Sequence, residues 1–180
     1  MEITHTPLDG LLIIKPDLFA DERGYFFESF NLDKFTAAGL DLRFVQDNES
    51  MSKKGVLRGL HFQAPPFGQG KLVRVIRGSV MDVAVDIRKS SPTYGKWESV
   101  VLTGQNKWMY WIPEGFAHGF VTLEDDTIFF YKCTNVYNKA SEGSIRWNDP
   151  DLDINWGSTE PLISAKDAVS PGFSEMVSPF

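Results

Sequence analysis

Residues 71–88, KLVRVIRGSVMDVAVDIR, carry the clearest repeating pattern in the chain. In the second half of the stretch, apolar and charged residues alternate. In an extended chain, one face would carry Met81, Val83, Val85 and Ile87, and the other would carry Asp82, Asp86 and Arg88. A period of two is the signature of a β-strand. Because Gly78 and Ser79 separate the two apolar runs, the stretch predicts two strands joined by a tight turn, a β-hairpin.

The same plan repeats twice further along the chain. Residues 96–113 (KWESVVLTGQNKWMYWIP) predict a turn at 104–106, and residues 114–134 (EGFAHGFVTLEDDTIFFYKCT) predict one at 124–126. Helical signals are confined to NLDKFTAAG, capped by Asn31 and ended by Gly39, and to one turn in SAKDAVSPGF. Short strands joined by turns favour a sandwich or barrel. We expect residues 1–180 to form one all-β, antiparallel domain with a few short helices.

Composition excludes several classes of protein. The formal net charge of −6 argues against a general nucleic-acid binder, which needs an excess of Lys and Arg. Cys133 is the only cysteine, so no intramolecular disulfide can form. The N-terminus lacks the pattern of a signal peptide, and no apolar run approaches the ~20 residues of a membrane span. We therefore expect a cytoplasmic protein that does not bind membranes.

His61 lies in an otherwise apolar, strand-like stretch, VLRGLHFQ (residues 56–63), in a chain with 3 histidines. On a regular strand Gly59, His61 and Gln63 face one side and Arg58 the other. Glycine leaves room for a ligand beside the imidazole. A histidine packed and hydrogen-bonded inside a barrel explains the same residue, and this pattern leaves both interpretations open.

His118 lies in PEGFAH, which matches Pro-x-Gly-x-x-His, the second half of the metal-binding signature of cupins, a family of small jelly-roll barrels. The earlier His-x-His part of that signature is replaced here by His61-Phe62-Gln63. The sequence thus favours a cupin-like barrel but not a metal site, because two imidazoles without a third strong ligand bind a transition metal poorly. Local hydrogen bonding beside a turn also explains His118.

Three further residues are candidates for chemistry. Lys71 shares a strand face with apolar residues, so it either reaches the rim or meets an anion. Tyr131 shares a face with Phe129, and an inward hydroxyl normally has a partner. Asp167 ends a Ser-x-x-Asp pattern from Ser164, which is typical of a helix cap. Packing or capping explains each residue when it is considered alone.

Several motifs together resemble the dTDP-4-dehydrorhamnose 3,5-epimerase family. They occur in the family's order between about residue 21 and residue 167: DERGYFFESF, FVQDNES, GVLRGLHFQ, WIPEGFAHGF, FFYKCTNVY, WNDPDLDINW and PLISAKD. The resemblance implies a cupin-like jelly roll that is metal-free, needs no cofactor and forms a homodimer by exchanging N-terminal strands. It also implies a dTDP-linked 4-keto-6-deoxy sugar as substrate, epimerised at C3 and C5.

The resemblance assigns roles to individual residues. It implies that His61 is the base, that Asp167 orients it, that Tyr131 is the acid and that Lys71 stabilises an enolate. Further residues would hold the nucleotide, the diphosphate and the sugar: Arg23, Phe26, Glu28, Gln46, Asn48, Arg58, His118 and Tyr137. Some of these would come from the partner subunit.

Two features limit what the resemblance implies. Arg58 and His61 lie on opposite faces of a regular strand, so contact of both with one ligand requires a bulge at Gly59. Glu49 and the APPFGQ loop vary among relatives, which leaves a monofunctional 3- or 5-epimerase of another nucleotide-linked keto sugar as the alternative.

Overall fold

The computed structural model describes residues 1–158 and 160–180, and within them the chain forms thirteen strands, one α-helix and two 3₁₀ turns. The elements are β1 Glu2–His5, β2 Leu12–Lys15, β3 Phe19–Asp21, β4 Gly24–Phe26, α1 Leu32–Ala37, β5 Gln46–Ser52, β6 Leu57–Gln63, β7 Lys71–Arg77, β8 Ser79–Asp86, β9 Trp97–Thr103, β10 Met109–Ile112, β11 Phe116–Thr122, β12 Thr127–Cys133, the turn Lys139–Ser141, β13 Glu142–Ser144 and the turn Asp167–Val169.

Two sheets form the body of the fold. One has six strands in the order β1-β2-β10-β7-β12-β5, and the other has five in the order β13-β6-β11-β8-β9. The strands pair antiparallel throughout both sheets, and β3 and β4 form a separate hairpin. The prediction of an all-β, cupin-like jelly roll is confirmed.

The three predicted hairpins are wrong in their pairing. β7 pairs with β10 and β12 in the six-stranded sheet, whereas β8 pairs with β9 and β11 in the five-stranded sheet. β9 and β10, and likewise β11 and β12, also lie in different sheets. Alternation identifies the apolar face of each strand but not which strand lies beside it. In the structure, the tight corners carry the chain from one sheet to the other rather than back along the same sheet.

The corner at Gly78 illustrates the geometry. Gly78 has φ +78°, and a Cβ built on it would lie 2.3 Å from Thr127 Oγ1. The backbone N–H of Gly104, at the next corner, donates to Gly78 O at 2.9 Å. Only a glycine fits both the backbone angle and this close packing of corners.

Both faces of β8 are buried, so its charged residues do not face water. Val83, Val85 and Ile87 pack under the C-terminal segment, against a cluster that includes Trp156. The opposite face turns towards the six-stranded sheet. There Asp82 and Asp86 have 0% exposure, and buried carboxylates require hydrogen-bond partners.

The predicted helical signals are confirmed. The Asn31 side chain caps α1 by accepting the N–H of Lys34, and Gly39 follows the helix with φ +85°. The second turn forms at Asp167–Val169. In the described part of the chain α1 has 6 residues, and no helix has the length and apolarity that a membrane crossing requires.

Candidate active site

A bulge in β6 brings Arg58 and His61 to the same cavity. In the pairing with β11, His61 lies opposite His118 and Arg58 opposite Phe120, so β6 has one extra residue. Gly59 has φ +136°, and a Cβ on it would lie 2.5 Å from Gly119 Cα. The missing side chain therefore makes room for the neighbouring strand rather than for a ligand. The expected bulge at Gly59 is present.

The cavity lies between the sheets and has a volume of about 550 Å³. Its lining comes from both sheets and from the C-terminal segment: Asn48, Glu49, Ser50, Val56, Leu57, Arg58, His61, Lys71, His118, Phe120, Phe129, Tyr131, Leu162, Ile163, Ser164, Lys166 and Asp167. A smaller cavity of about 300 Å³ adjoins it and shares Asn48, His61, Lys71 and Tyr131. Together the two cavities form an elongated site around one group of reactive side chains.

His61 and Asp167 form a tight pair across 106 residues of sequence, with 2.6 Å between His61 Nε2 and Asp167 Oδ1. Ser164 O–H donates to Asp167 Oδ2 at 2.9 Å, and the Asp167 N–H donates to Ser164 Oγ at 3.1 Å. Ser164 therefore caps the N–H of Asp167, and Asp167 is at the same time the partner of His61. The helix cap predicted from the Ser-x-x-Asp pattern and the contact with His61 implied by the family resemblance are thus both present.

The protonation of Asp167 decides which histidine nitrogen is basic. Burial raises the pKa of Asp167, but hydrogen bonds from His61 and Ser164 outweigh burial and hold that pKa below its usual value. The ionised carboxylate can only accept, so His61 donates from Nε2. His61 Nδ1 then carries the lone pair, and it has no hydrogen-bond partner among the described residues. The geometry thus leaves Nδ1, rather than Nε2, as the nitrogen of the neutral ring that can accept a proton.

Lys71 and Tyr131 lie on the other wall, since β7 and β12 belong to the six-stranded sheet and β6 to the five-stranded one. Burial lowers the pKa of Lys71, opposed by Cys133, Asp82 and Glu142, and burial raises the pKa of Tyr131. Within residues 1–158 and 160–180 neither Lys71 Nζ nor the Tyr131 hydroxyl has a hydrogen-bond partner. Both groups are available to a ligand.

His118 has a carboxylate partner of its own on the five-stranded sheet. Its Nε2 lies 2.9 and 3.0 Å from the two oxygens of Asp82, and both residues are buried. Burial lowers the pKa of His118 and raises that of Asp82. The partner lies on the adjacent strand, so local hydrogen bonding beside a turn is the wrong explanation. In the described residues no three His, Cys, Asp or Glu side chains could hold a metal ion together.

The other predicted binding residues divide into two groups. Asn48 and Arg58 line the large cavity, and Gln46 and Tyr137 line the smaller one. Arg23, Phe26 and Glu28 line neither cavity. Arg23 pairs with Asp21 on the exposed β3–β4 hairpin, Phe26 is 66% exposed, and Glu28 contacts Lys34 and Asn31.

Sequence reasoning missed several lining residues. Glu142 forms an ion pair with Lys166 and accepts a hydrogen bond from Tyr137 at 3.1 Å, at the rim of the site. The sequence did carry a signal for Lys166, because this residue directly precedes the candidate Asp167. Glu142 has no such signal, because only the pairing of β13 with β6 brings it to the site.

A histidine–aspartate pair on one wall of the cleft faces a lysine and a tyrosine on the other, an arrangement suited to a cupin-like isomerase that moves protons between the two faces of a substrate. A family model described as dTDP-4-dehydrorhamnose 3,5-epimerase matches residues 5–175. The chain belongs to the dTDP-4-dehydrorhamnose 3,5-epimerase family.

Individual relatives agree with this membership. The chain is 54% identical over 168 residues to dTDP-4-dehydrorhamnose 3,5-epimerase of Shigella flexneri, covering 93% of each protein. It is 58% identical over 151 residues to that of Methanothermobacter thermautotrophicus, covering 84% of this chain and 81% of the relative. A crystal structure of dTDP-6-deoxy-D-glucose-3,5-epimerase from Legionella pneumophila, in complex with dTDP-4-keto-L-rhamnose, superimposes with TM-score 0.94 at 49% identity, covering 98% of this chain and 94% of that one.

Proposed function

We propose that this chain is a dTDP-4-dehydrorhamnose 3,5-epimerase, which converts dTDP-4-dehydro-6-deoxy-D-glucose into dTDP-4-dehydro-L-rhamnose for dTDP-L-rhamnose synthesis. The observation that carries the proposal is the position of His61 with Asp167 on one wall of the cavity and of Tyr131 with Lys71 on the other. Inverting a carbon centre needs a base and an acid on opposite faces of the sugar. The ligand bound to the Legionella relative supports this substrate.

The base removes a proton next to a carbonyl. The protons on C3 and C5 both lie α to the C4 carbonyl, so removal of either gives an enolate. His61 Nδ1 takes the proton, the electrons of the C–H bond move towards the C4 oxygen, and the ionised Asp167 stabilises the resulting imidazolium. The growing negative charge favours the ammonium form of Lys71. One such contact in a dry site contributes about 3 kcal/mol to lowering the barrier.

Tyr131 completes the inversion. Because burial raises its pKa, the phenol stays protonated at neutral pH and can give its proton to the face opposite His61. The enolate electrons then form the new C–H bond and the C4 carbonyl returns. Water reprotonates the phenolate and takes the proton from His61, which restores the enzyme for the second centre.

The nucleotide would occupy the rest of the elongated site. Arg58 and Asn48 would contact the diphosphate, Gln46 and Tyr137 the thymidine end in the smaller cavity, and His118 the sugar end. Arg58 is suited to a diphosphate because a guanidinium donates two parallel hydrogen bonds to phosphate oxygens.

A homodimer would supply the remaining contacts. Arg23, Phe26 and Glu28 lie outside both cavities of their own chain, on or beside the exposed β3–β4 hairpin. Exchange of this N-terminal region between two copies would carry them to the partner's site. A cytoplasmic location stays a prediction from the sequence.

The proposal is tested by NMR of the dTDP-4-keto sugar incubated with the protein in deuterated water. We expect deuterium at both C3 and C5 and a product with the L-configuration. Incorporation at one carbon alone would replace the proposal with a monofunctional epimerase, and no incorporation at either carbon would contradict it.

A further inference from the structure

Gln63 is a buried amide at the end of β6, two residues beyond His61. Its side chain is 6% exposed and forms part of the wall of the smaller cavity. The sequence places it where a metal-binding cupin has a histidine. A buried amide in a cavity wall either offers its hydrogen bonds to a ligand or uses them within the protein.

The amide of Gln63 uses its donors within the protein. Gln63 Nε2 donates to Phe67 O at 2.6 Å and to Val136 O at 3.2 Å, and Gln63 Oε1 accepts the N–H of Asn138 at 2.8 Å. A glutamine amide has two N–H groups, so both are engaged. Gln63 therefore has no donor left for a ligand.

These bonds hold the chain on both sides of Tyr137. The carbonyl of the residue before Tyr137 and the N–H of the residue after it are bound to Gln63, and the N–H of Tyr137 itself donates to Gln46 Oε1 at 2.8 Å. The Tyr137 side chain is 54% exposed. An aromatic side chain with so much exposure gains little position from core packing, so its place depends on the hydrogen bonds of its backbone and on the one from its hydroxyl to Glu142.

We propose that Gln63 is a positioning residue for the nucleotide end of the site: it clamps Val136 and Asn138 and thereby holds Tyr137 against the bound nucleotide. The inference rests on the proposed function, which gives Tyr137 that contact. Without the clamp, the 134–138 segment must be ordered when the nucleotide binds, which weakens binding. The proton-transfer groups lie on β6, β7, β12 and the C-terminal turn, and they do not depend on this segment.

The test compares Gln63→Met, which keeps length but removes the hydrogen bonds, with the wild type. We expect the Kd for dTDP, measured by calorimetry, and the KM for the keto sugar to rise roughly tenfold, because three hydrogen bonds are lost. We expect kcat to change less than twofold. A fall in kcat with unchanged KM and Kd would overturn the proposal.

A double-mutant cycle separates positioning from a general loss of stability. Tyr137→Ala should weaken dTDP binding in the wild type and have little further effect in Gln63→Met. Additive losses would contradict action through Tyr137. Asn106→Leu is the matched control, since the Asn106 amide also makes three bonds to backbone and lines neither cavity. It should lower the melting temperature and leave the Kd for dTDP unchanged.

If Gln63→Met does not fold, Gln63→Glu is the second variant. It keeps an oxygen that can accept the N–H of Asn138 but has no N–H to donate, so it should also raise the Kd for dTDP. If the wild type neither binds dTDP nor epimerises the sugar, the proposed function fails. If the wild type does both and the Gln63 variants match it, only the clamp fails.

Discussion

A hydrogen bond to Asp167 fixes the orientation of the His61 ring. The ionised Asp167 accepts from Nε2, so Nδ1 is the nitrogen that can take a proton. His118 lies directly opposite on the neighbouring strand, but it is buried against Asp82. His61 and His118 lie opposite each other on adjacent strands. They differ in their partners, because His61 hydrogen-bonds to Asp167 and His118 to Asp82.

Replacing His61 by alanine should remove the base. We expect kcat to fall by about 10²- to 10⁴-fold, the usual contribution of general base catalysis, while the protein folds normally. Turnover of the keto sugar and the circular dichroism spectrum check both statements. His5→Ala, at an exposed histidine of β1, should retain full activity. Substantial residual turnover of His61→Ala would remove His61 from the base role.

Replacing Asp167 by asparagine should change which nitrogen of His61 carries the proton. An amide can donate to Nε2, which moves the proton to Nδ1 and leaves no lone pair facing the substrate. We expect kcat to fall by about 10²-fold or more with little change in dTDP affinity. Nitrogen-15 NMR of the imidazole reports the tautomer. An unchanged tautomer together with unchanged kcat would contradict the orienting role.

β6 departs from regular strand geometry through a bulge in its pairing with β11. Its bulge sets Arg58 and His61 on one side, and it depends on two glycines, Gly59 and Gly119, whose backbones approach closely. The loop after β8 depends instead on a carboxylate. Asp86 accepts hydrogen bonds from Arg88, Ser91 and Thr93 and thus organises residues 86–93.

Gly59→Ala should disrupt the bulge. Its Cβ would meet the backbone of Gly119 at 2.5 Å, so β6 and β11 must separate. Gly24→Ala is a matched control, because Gly24 has a similar φ of +131° with nothing within 4 Å. We expect Gly24→Ala to cost about 1–2 kcal/mol of unfolding free energy and Gly59→Ala clearly more, with loss of activity. Urea denaturation measures both losses of unfolding free energy. Equal losses for the two variants would show that contact between the new Cβ and β11 does not add to the cost of Gly59→Ala.

Asp86 should make the protein sensitive to acid. Burial raises the pKa of Asp86, but hydrogen bonds from Arg88, Ser91 and Thr93 outweigh it and lower that pKa to about 2. A depressed pKa in the folded state means that the stability is present above about pH 4 and is lost as the pH falls towards 2. Asp86→Asn should lower the unfolding free energy at pH 7 by about 2 kcal/mol and flatten its dependence on pH in that range.

Urea denaturation at several pH values measures this effect. Asp151→Asn, the same change at an exposed aspartate, should leave the curve close to that of the wild type. An Asp86→Asn curve as steep as the wild type between pH 4 and 2 would assign the acid sensitivity to other groups.

At the scale of the whole molecule, the proposed homodimer predicts that each site contains Arg23 from the other chain. Two inactive variants give a direct test. In a mixed dimer of Arg23→Ala and His61→Ala, one site would contain an intact His61 and the partner's intact Arg23. Half of randomly formed dimers are mixed and half of their sites are intact, so we expect about one quarter of the wild-type activity. Activity no higher than that of the separate variants would rule out the proposed contribution of Arg23 to the site of a second copy.

Sequence patterns predicted much of the fold and part of the site. Alternation predicted the strands, Asn31 and Ser164 predicted their caps, and the family motifs brought His61, Lys71, Tyr131 and Asp167 together as one set. These inferences depend on spacing along the chain or on motifs in a known order, and both can be read directly from the letters.

The pairing of the strands, and the side chains that this pairing brings together, could not be predicted from spacing or from motifs. The three predicted hairpins are crossings between sheets, Asp82 meets His118 on an adjacent strand, and Gln63 clamps the segment around Tyr137 rather than facing a ligand. The physical reason is that a two-residue period reports which face of a strand is apolar, and many partners can bury that face. The choice among those partners depends on how all the faces pack at once, which only the folded chain shows.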